Sequence, residues 1–550
     1  MDRVAKTFVY GIIAGGSALL ISAVLRFIAG GVFVPELASQ TIFSLTPGQA
    51  ESFSVETFGS LAKYSVFVVT VVFNLILYGG LAVLLRKIYE RLADKGFILN
   101  LLQLSFIPYF FMVAITAILL RRNELLGKSS EIQFALIFLL LPHVVYGRIL
   151  YSLLRRGVVK KATGYVDTEV HPTYQATGSQ SPKISRRQFI IMAASAVVVA
   201  VIYFWARPLI NSHPITNSTN PQPPVTPPLN VPAGSIFREP ALAPFVSSEV
   251  TTNDKFYRID TNIIVPSVDA NSWKLNLSGL VQNGPLQFSY QELKSMPSVS
   301  EYATLECISD KITGNLISTA HWKGVTLKSI LDKAQVKPEA IYIVFRCYDG
   351  YDVGIPIDRG LQDGTILAYE MNGVPLPAEH GFPLRAIVPG LYGMMNPKWI
   401  TDIELVDTVY EGFWQRRGWD NDAEYKTHSK IVFPGDALAA RFGQMEAPSM
   451  STIVGNKSPI AGIAFAGDRG ISNVEVSVDG GNTWQTASIK DPLSGNCWVL
   501  WALDWIPKNK GDYNIIVRAT DKTGNIQTAE VTDVYPHGAT GYHSAETTVL

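Results

Sequence analysis

The chain has 550 residues, a formal net charge of zero and 47% hydrophobic residues, a length sufficient for three or four domains. Balanced charge offers no polybasic surface, so nucleic acid is not an expected partner. Its three cysteines, Cys307, Cys347 and Cys497, stand far apart, which excludes a disulfide framework and a CxxC metal site. The apolar excess sits in the first 205 residues.

Four long apolar stretches come first, near residues 7–33, 61–85, 101–120 and 132–154. Each is long enough to cross a bilayer as a helix, which takes about 20 residues. A shorter fifth, Phe189 to Trp205, has Trp205 and Arg207 as interfacial anchors. Arg86, Lys87, Arg91 and Lys95 lie between spans two and three, and Arg155, Arg156, Lys160, Lys161, Lys183, Arg186 and Arg187 between spans four and five. The segment from Val34 to Leu61 has Glu36, Glu51 and Glu56 but no Lys or Arg. The positive-inside rule then places the N-terminus in the cytoplasm and everything after span five outside, despite Arg121, Arg122 and Lys128 on the other side. His143 is the only histidine before residue 171; one imidazole does not supply the axial pair of a b-type haem, and a packing hydrogen bond is the expected role. These spans are expected to anchor the chain or dock a partner subunit.

Ser185-Arg186-Arg187-Gln188-Phe189 stands just before span five. Ser-Arg-Arg-x-Phe ahead of a moderately apolar run resembles a twin-arginine export signal, which carries folded proteins. Residues 217–232 are rich in Pro, Asn and Thr, the composition of an extended, semi-rigid spacer. The expected organisation is a membrane domain over 1–206, a Pro-rich linker over 207–245, an α+β domain over 246–428 and a β-sandwich over 429–550. Short strands such as Trp273 to Gly279, with a helical Leu327 to Ala334, indicate α+β. In the last domain, Val474 to Val478, the Asp479-Gly480-Gly481 turn and the clean alternation of Tyr513 to Asp521 indicate an immunoglobulin-like sandwich.

Cys307 ends the apolar run Tyr302-Ala303-Thr304-Leu305-Glu306 and precedes a polar turn, Ser309-Asp310-Lys311. A thiolate there is a soft ligand for a transition metal. With Asn372-Gly373-Val374-Pro375-Leu376-Pro377, His380-Gly381-Phe382-Pro383-Leu384-Arg385, Val388-Pro389-Gly390-Leu391-Tyr392-Gly393 and Lys398-Trp399-Ile400, the region from Asp254 to Val406 resembles the molybdopterin-binding domain of the sulfite oxidase family. The residues after it look like the C-terminal domain of the same family.

The resemblance implies a molybdenum-molybdopterin cofactor with Cys307 as metal ligand. It implies that His380, Arg385 and Lys398 meet the terminal phosphate, through a bidentate guanidinium and a point-charge ammonium, and that Gly390 shapes a loop against the pterin. Tyr351 falls where relatives place side chains near the metal, and Lys311 where sulfite oxidases carry an arginine pair. Asp260 stands where those enzymes bring an arginine, which favours a substrate other than sulfite. The implied activity is an enzyme's: two-electron oxygen-atom transfer on a small-molecule substrate by a multi-pass membrane protein with its catalytic domain outside the cytoplasm. The alternatives are a methionine sulfoxide or other oxo-anion reductase and a cofactor-free surface scaffold. Without CxxCH or a cysteine cluster, electrons pass to or from a separate carrier or redox subunit. The C-terminal domain brings a homodimer into consideration.

If Arg186 and Arg187 act as an export signal, Arg186→Lys with Arg187→Lys blocks appearance of the C-terminal half outside, although both charges remain. Cleavage near Pro221 by protease added to spheroplasts, undiminished in the double variant, would reduce the pair to a positive-inside flank.

Overall fold

Backbone groups in an apolar run must find partners within their own segment, which favours helix. The computed structural model describes residues 3–29, 32–50, 53–54, 60–92, 97–122, 138–162, 231–262, 265–433 and 452–550. They fall into two units, Met1–Thr46 with Ser54–Ser218, and Pro47–Phe53 with Thr219–Leu550. The first is helical: Arg3–Ala29, Val34–Leu45, Ser60–Leu92, Phe97–Arg122 and Leu140–Ala162. Three spans are long and apolar enough to cross a membrane, Arg3–Arg26, Tyr64–Arg91 and Asn100–Leu119. The fourth expected span overlaps Leu140–Ala162, which is not among them and which carries Arg148, Arg155, Arg156, Lys160 and Lys161. The fifth, the Arg186–Arg187 pair and the spacer as far as residue 230 lie outside the described residues. Gly11 and Gly15 let the first and third helices close to backbone contact: an added Cβ at either would come within 2.5 Å of Ala82 Cβ or Tyr78 Cβ. His143 Nδ1 donates to Leu139 O at 2.5 Å and Nε2 accepts from Tyr78 Oη at 3.1 Å.

In the second unit, one five-stranded sheet has the order β2-β1-β10-β5-β6, from β1 (Lys274–Gly279), β2 (Leu286–Ser289), β5 (Tyr342–Cys347), β6 (Asp352–Pro356) and β10 (Ile400–Val406). Only β1 and β10 run parallel. A second holds β3 (Val299–Glu306), β4 (Ile317–Thr326), β7 (Ile366–Met371), β8 (Val374–Pro375) and β9 (Arg385–Ile387), in the order β3-β4-β7-β8 with β9 on β7. Helices close the layers. In Leu327–Ala334, Thr326 caps the first turn by accepting from Ser329 N, and Leu327, Ile330, Leu331 and Ala334 point inward at helical spacing.

The remainder is β-rich, as expected. β11 (His428–Phe433), β12 (Ser458–Phe465), β15 (Ser488–Ile489) and β16 (Val499–Trp505) make one four-stranded sheet; β13 (Ile471–Ser477), β14 (Gln485–Thr486), β17 (Gly511–Asp521) and β18 (His543–Val549) make the other. Ile431, Ile460, Val474 and Val517 share the core between them. Val432, Ile463, Phe465 and Leu500, from the first sheet, join the core of the α+β part. That sheet is therefore covered on both faces, and every residue of β11 is buried.

Burial on both faces brings charge inside. Lys490 Nζ lies 2.9 Å from Glu249 Oε2, the side chains 4% and 2% exposed. Glu249→Leu leaves the ammonium without its counter-ion, at a cost of about 3–5 kcal/mol, and is expected to lower the midpoint of thermal unfolding; an unchanged midpoint would contradict this.

Candidate active site

β3 delivers Cys307 into a loop that ends at β4. Cys307 N donates to Leu316 O at 2.9 Å, Asp310 N to Cys307 O at 2.9 Å, and Leu316 N to Asp310 Oδ1 at 2.9 Å. The thiol sulfur contacts Ser309 Oγ at 3.0 Å, and Cys307 as a residue is 8% exposed. Burial pushes the Cys307 thiol up to about 11, so a metal binding there must displace a proton.

The second cluster follows β7 and β9. Gly381 has φ +114°, and a Cβ there would sit 3.0 Å from Lys398 Cβ and 3.2 Å from Arg385 Cβ; only glycine lets the two basic side chains leave the chain this close together. Arg385 is 5% exposed. It lies over the Trp322 ring at 4.9 Å and donates from its two terminal nitrogens to His380 O and Asn396 O at 3.2 and 3.4 Å. Its Nε has no hydrogen-bond partner among the described residues. Burial holds Arg385 down to about 10, still charged at neutral pH. A buried guanidinium with one N–H unpaired fits an anion.

Lys398 Nζ donates to Ile259 O at 3.2 Å and Glu379 O at 3.4 Å, 3.5 Å from Asp260 Oδ2; burial holds it down to about 8. His380, expected to meet the phosphate, already has a hydrogen-bond partner. Its Nε2–H is committed to Asn253 O at 2.7 Å, and burial pushes the ring down to about 3, hence neutral. It orders the Asn253 segment and lends Arg385 a carbonyl.

Asp260 is paired with two cations. Its carboxylate is 2.7 Å from Arg258 Nε as well as near Lys398, and its side chain is 2% exposed. Arg258, Lys398 and Arg385 outnumber it, so the position does not act as an isolated negative charge facing an anion.

Gly390 stands apart from this cluster. Its φ is +81°, and a Cβ would fall 2.7 Å from Asp468 Oδ1 and 2.8 Å from Arg359 Nη1. It makes room for the Arg359–Asp468 ion pair of 2.8 Å, a contact to the β-rich part. Tyr351 Oη donates to Met394 O at 2.7 Å, and its phenol lies within electrostatic reach of Cys307. Lys311 is exposed beyond the cysteine turn, and its carbonyl accepts from Lys430 Nζ at 3.3 Å.

Several residues went unnoticed in sequence. Tyr425 is buried and Tyr257 partly buried, both within electrostatic reach of Cys307 and Arg385. Glu306, Asp310, His428 and Lys430 form a buried polar group behind the cysteine. Burial and the Asp310 carboxylate push Glu306 up against the pull of Lys430. His428 is held neutral by burial, and its Nε2 lies 3.2 Å from Glu306 Oε1, a distance that suits donation by a protonated Glu306. Nothing in the sequence of β11 marked a lysine turned inward.

Residues 262–414 match the family model "Oxidoreductase molybdopterin binding domain" and residues 424–544 match "Mo-co oxidoreductase dimerisation domain". The mitochondrial sulfite oxidase of Macaca fascicularis is 29% identical over 331 residues, covering 54% of this chain and 61% of that protein. The chain thus spans under two thirds of the length of that relative. The "Uncharacterized oxidoreductase YuiH" of Bacillus subtilis is 35% identical over 151 residues, 28% of this chain and 74% of that protein. A crystal structure of the sulfane dehydrogenase SoxCD from Paracoccus pantotrophus aligns with 52% of this chain and 77% of that chain at 25% identity, with a TM-score of 0.44. The chain belongs to the sulfite oxidase family of molybdopterin-dependent oxidoreductases. It is an enzyme of that kind, and its cofactor is molybdenum-molybdopterin.

Lys398 gives the cluster a pH dependence. Its folded value lies below the ordinary lysine value, so the cation is present below pH 8 and lost above it. A phosphate monoester is already a dianion there. Its association constant with cofactor-free protein is expected to fall by up to ~tenfold per pH unit above 8, and Lys398→Met is expected to remove that slope. A slope that survives in the variant would assign it elsewhere.

Proposed function

We propose that this chain is a membrane-anchored oxidoreductase whose catalytic part faces away from the cytoplasm and moves an oxygen atom and two electrons on a small substrate. The observation that carries the reading is the pairing of one buried cysteine in a tight turn with a buried guanidinium left one partner short. Cys307 is the metal ligand in this reading. Arg385 and Lys398 hold the pterin phosphate, with the free Nε–H of Arg385 as the donor it lacks, and Gly381 keeps their approach open. His380 holds the Asn253 segment against the same cluster. Tyr351 and Lys311 line the approach to the metal, the first fixed by Met394 O. Gly390 acts at one remove, through the Arg359–Asp468 contact.

Molybdenum held by sulfur ligands supplies two-electron redox change and an exchangeable oxygen position. The chain's own residues exclude water behind Cys307, fix the thiolate and surround the cofactor's phosphate with positive charge. With Asp260 neutralised, Arg258 stays partly exposed beside the cluster, which suits a small oxo-anion or the polar oxygen of a sulfoxide as substrate. Electrons pass to a separate carrier if the substrate is oxidised, or from it if an oxygen such as a sulfoxide's is removed. The three apolar helices support anchoring, the arginine pair before span five supports export in the folded state, and the two β-rich sheets form an immunoglobulin-like sandwich through which two copies pair.

Cys307→Ser replaces a soft ligand by a hard one. The expected outcome is a folded protein without turnover of a substrate the parent consumes, and with the thiolate-to-metal absorption lost. Undiminished turnover would remove Cys307 from the metal.

A further inference from the structure

The loop from Cys307 to Leu316 closes around a charge that another part of the chain supplies. Lys430, on β11, is fully buried, its side chain 0% exposed. Its ammonium lies 2.5 Å from Asp310 Oδ2, 3.3 Å from Lys311 O, 3.4 Å from Gly314 O and 3.4 Å from Glu306 Oε1. The three protons meet three oxygens of one loop, and the fourth oxygen belongs to the residue just before the cysteine. Asp310 carries the connection onward. Its other oxygen accepts from Leu316 N and its own N–H bonds Cys307 O, while Leu316 O accepts from Cys307 N. Gly314 is obligatory for this closure, because a Cβ there would fall 2.1 Å from Asp310 Oδ1. Tyr425 Oη, from the segment leading into β11, accepts from Glu306 N at 3.3 Å.

We propose that Lys430 is a positioning residue for the metal ligand: its ammonium, delivered by the β-rich domain, ties Asp310, Lys311 and Gly314 into the turn that fixes the direction of the Cys307 sulfur. This rests on reading Cys307 as the ligand. A buried ion pair gains little stability over apolar residues of the same volume, whereas removing one partner is costly. What such a pair does supply is a defined geometry, through bonds that fit one loop conformation only. Lys430 and His428 lie two apart on one strand and so face the same side, toward Glu306 and Asp310. The first strand of the second domain thus works as a template for the metal loop of the first.

The test uses the full chain with Cys347 and Cys497 changed to serine, so that Cys307 is the only thiol. In cofactor-free protein, iodoacetamide is expected to alkylate Cys307 at least ~tenfold faster in Lys430→Met than in the parent, because the turn opens locally. Lys490→Met removes another buried lysine, one paired with Glu249 and absent from the metal loop, and is expected to leave the rate within about twofold despite its lower unfolding temperature. Where Lys430→Met does not accumulate folded, Asp310→Asn keeps the volume, weakens the same bond and is read in the same way. In loaded protein, the Mo(V) paramagnetic resonance line is expected to shift or broaden in Lys430→Met and to stay put in Lys490→Met. Equal alkylation rates in parent and both loop variants would overturn the inference. A parent free of molybdenum would instead overturn the reading of Cys307 as ligand, and the two failures are separately visible.

Discussion

A buried positive charge must be answered by an anion or by enough oxygen to replace water. Arg385 has two carbonyls and an aromatic face but keeps one N–H unpaired among the described residues, and it shares its surroundings with Lys398. The fold has placed two cations in a region where burial lowers the readiness of both to stay charged. That arrangement is stable when an anion lies among them, and a terminal phosphate is an anion of suitable size. Gly381, the cation–π contact with Trp322 and the commitment of His380 to Asn253 O all make sense as supports for that one convergence.

The second constraint is that the α+β part and the β-rich part are not separately closed. The sheet beginning with β11 is covered on both faces, and its side chains enter two cores. A polar seam runs through the contact beside Cys307, where Lys430 and His428 meet Asp310 and Glu306. Arg359 and Asp468 mark a further contact between the two parts, with Gly390 giving way to them. The β-rich part therefore belongs to the cysteine's surroundings, through Lys430 and His428.

The cysteine turn, the basic pair Arg385 and Lys398 and the run of apolar helices were visible in sequence because each is a local pattern: a motif, or a composition sustained over a bilayer's thickness. The interactions that decide how those residues behave join positions more than a hundred residues apart. Asp260 reads as an unpaired acid until Lys398 arrives beside it. Gly390 reads as a pterin contact because its loop resembles the family's; its neighbours, Arg359 and Asp468, come from elsewhere in the chain. Lys430 stands in a strand, where alternate residues share a face, but its neighbours in sequence do not say which face is covered. The sequence of β11 has no means of saying that both faces are covered. His380 looks like a donor, and only the position of Asn253 O shows that the donor is already used.

The central claim is that Cys307 holds molybdenum in this chain. X-ray absorption at the molybdenum edge, measured on the purified full-length protein and on Cys307→Ser, tests it most directly. The account predicts about one molybdenum per chain, with a shell containing one more sulfur in the parent than in the variant. Molybdenum absent from protein made in cells that synthesise the cofactor, or an identical sulfur shell in parent and variant, would contradict it.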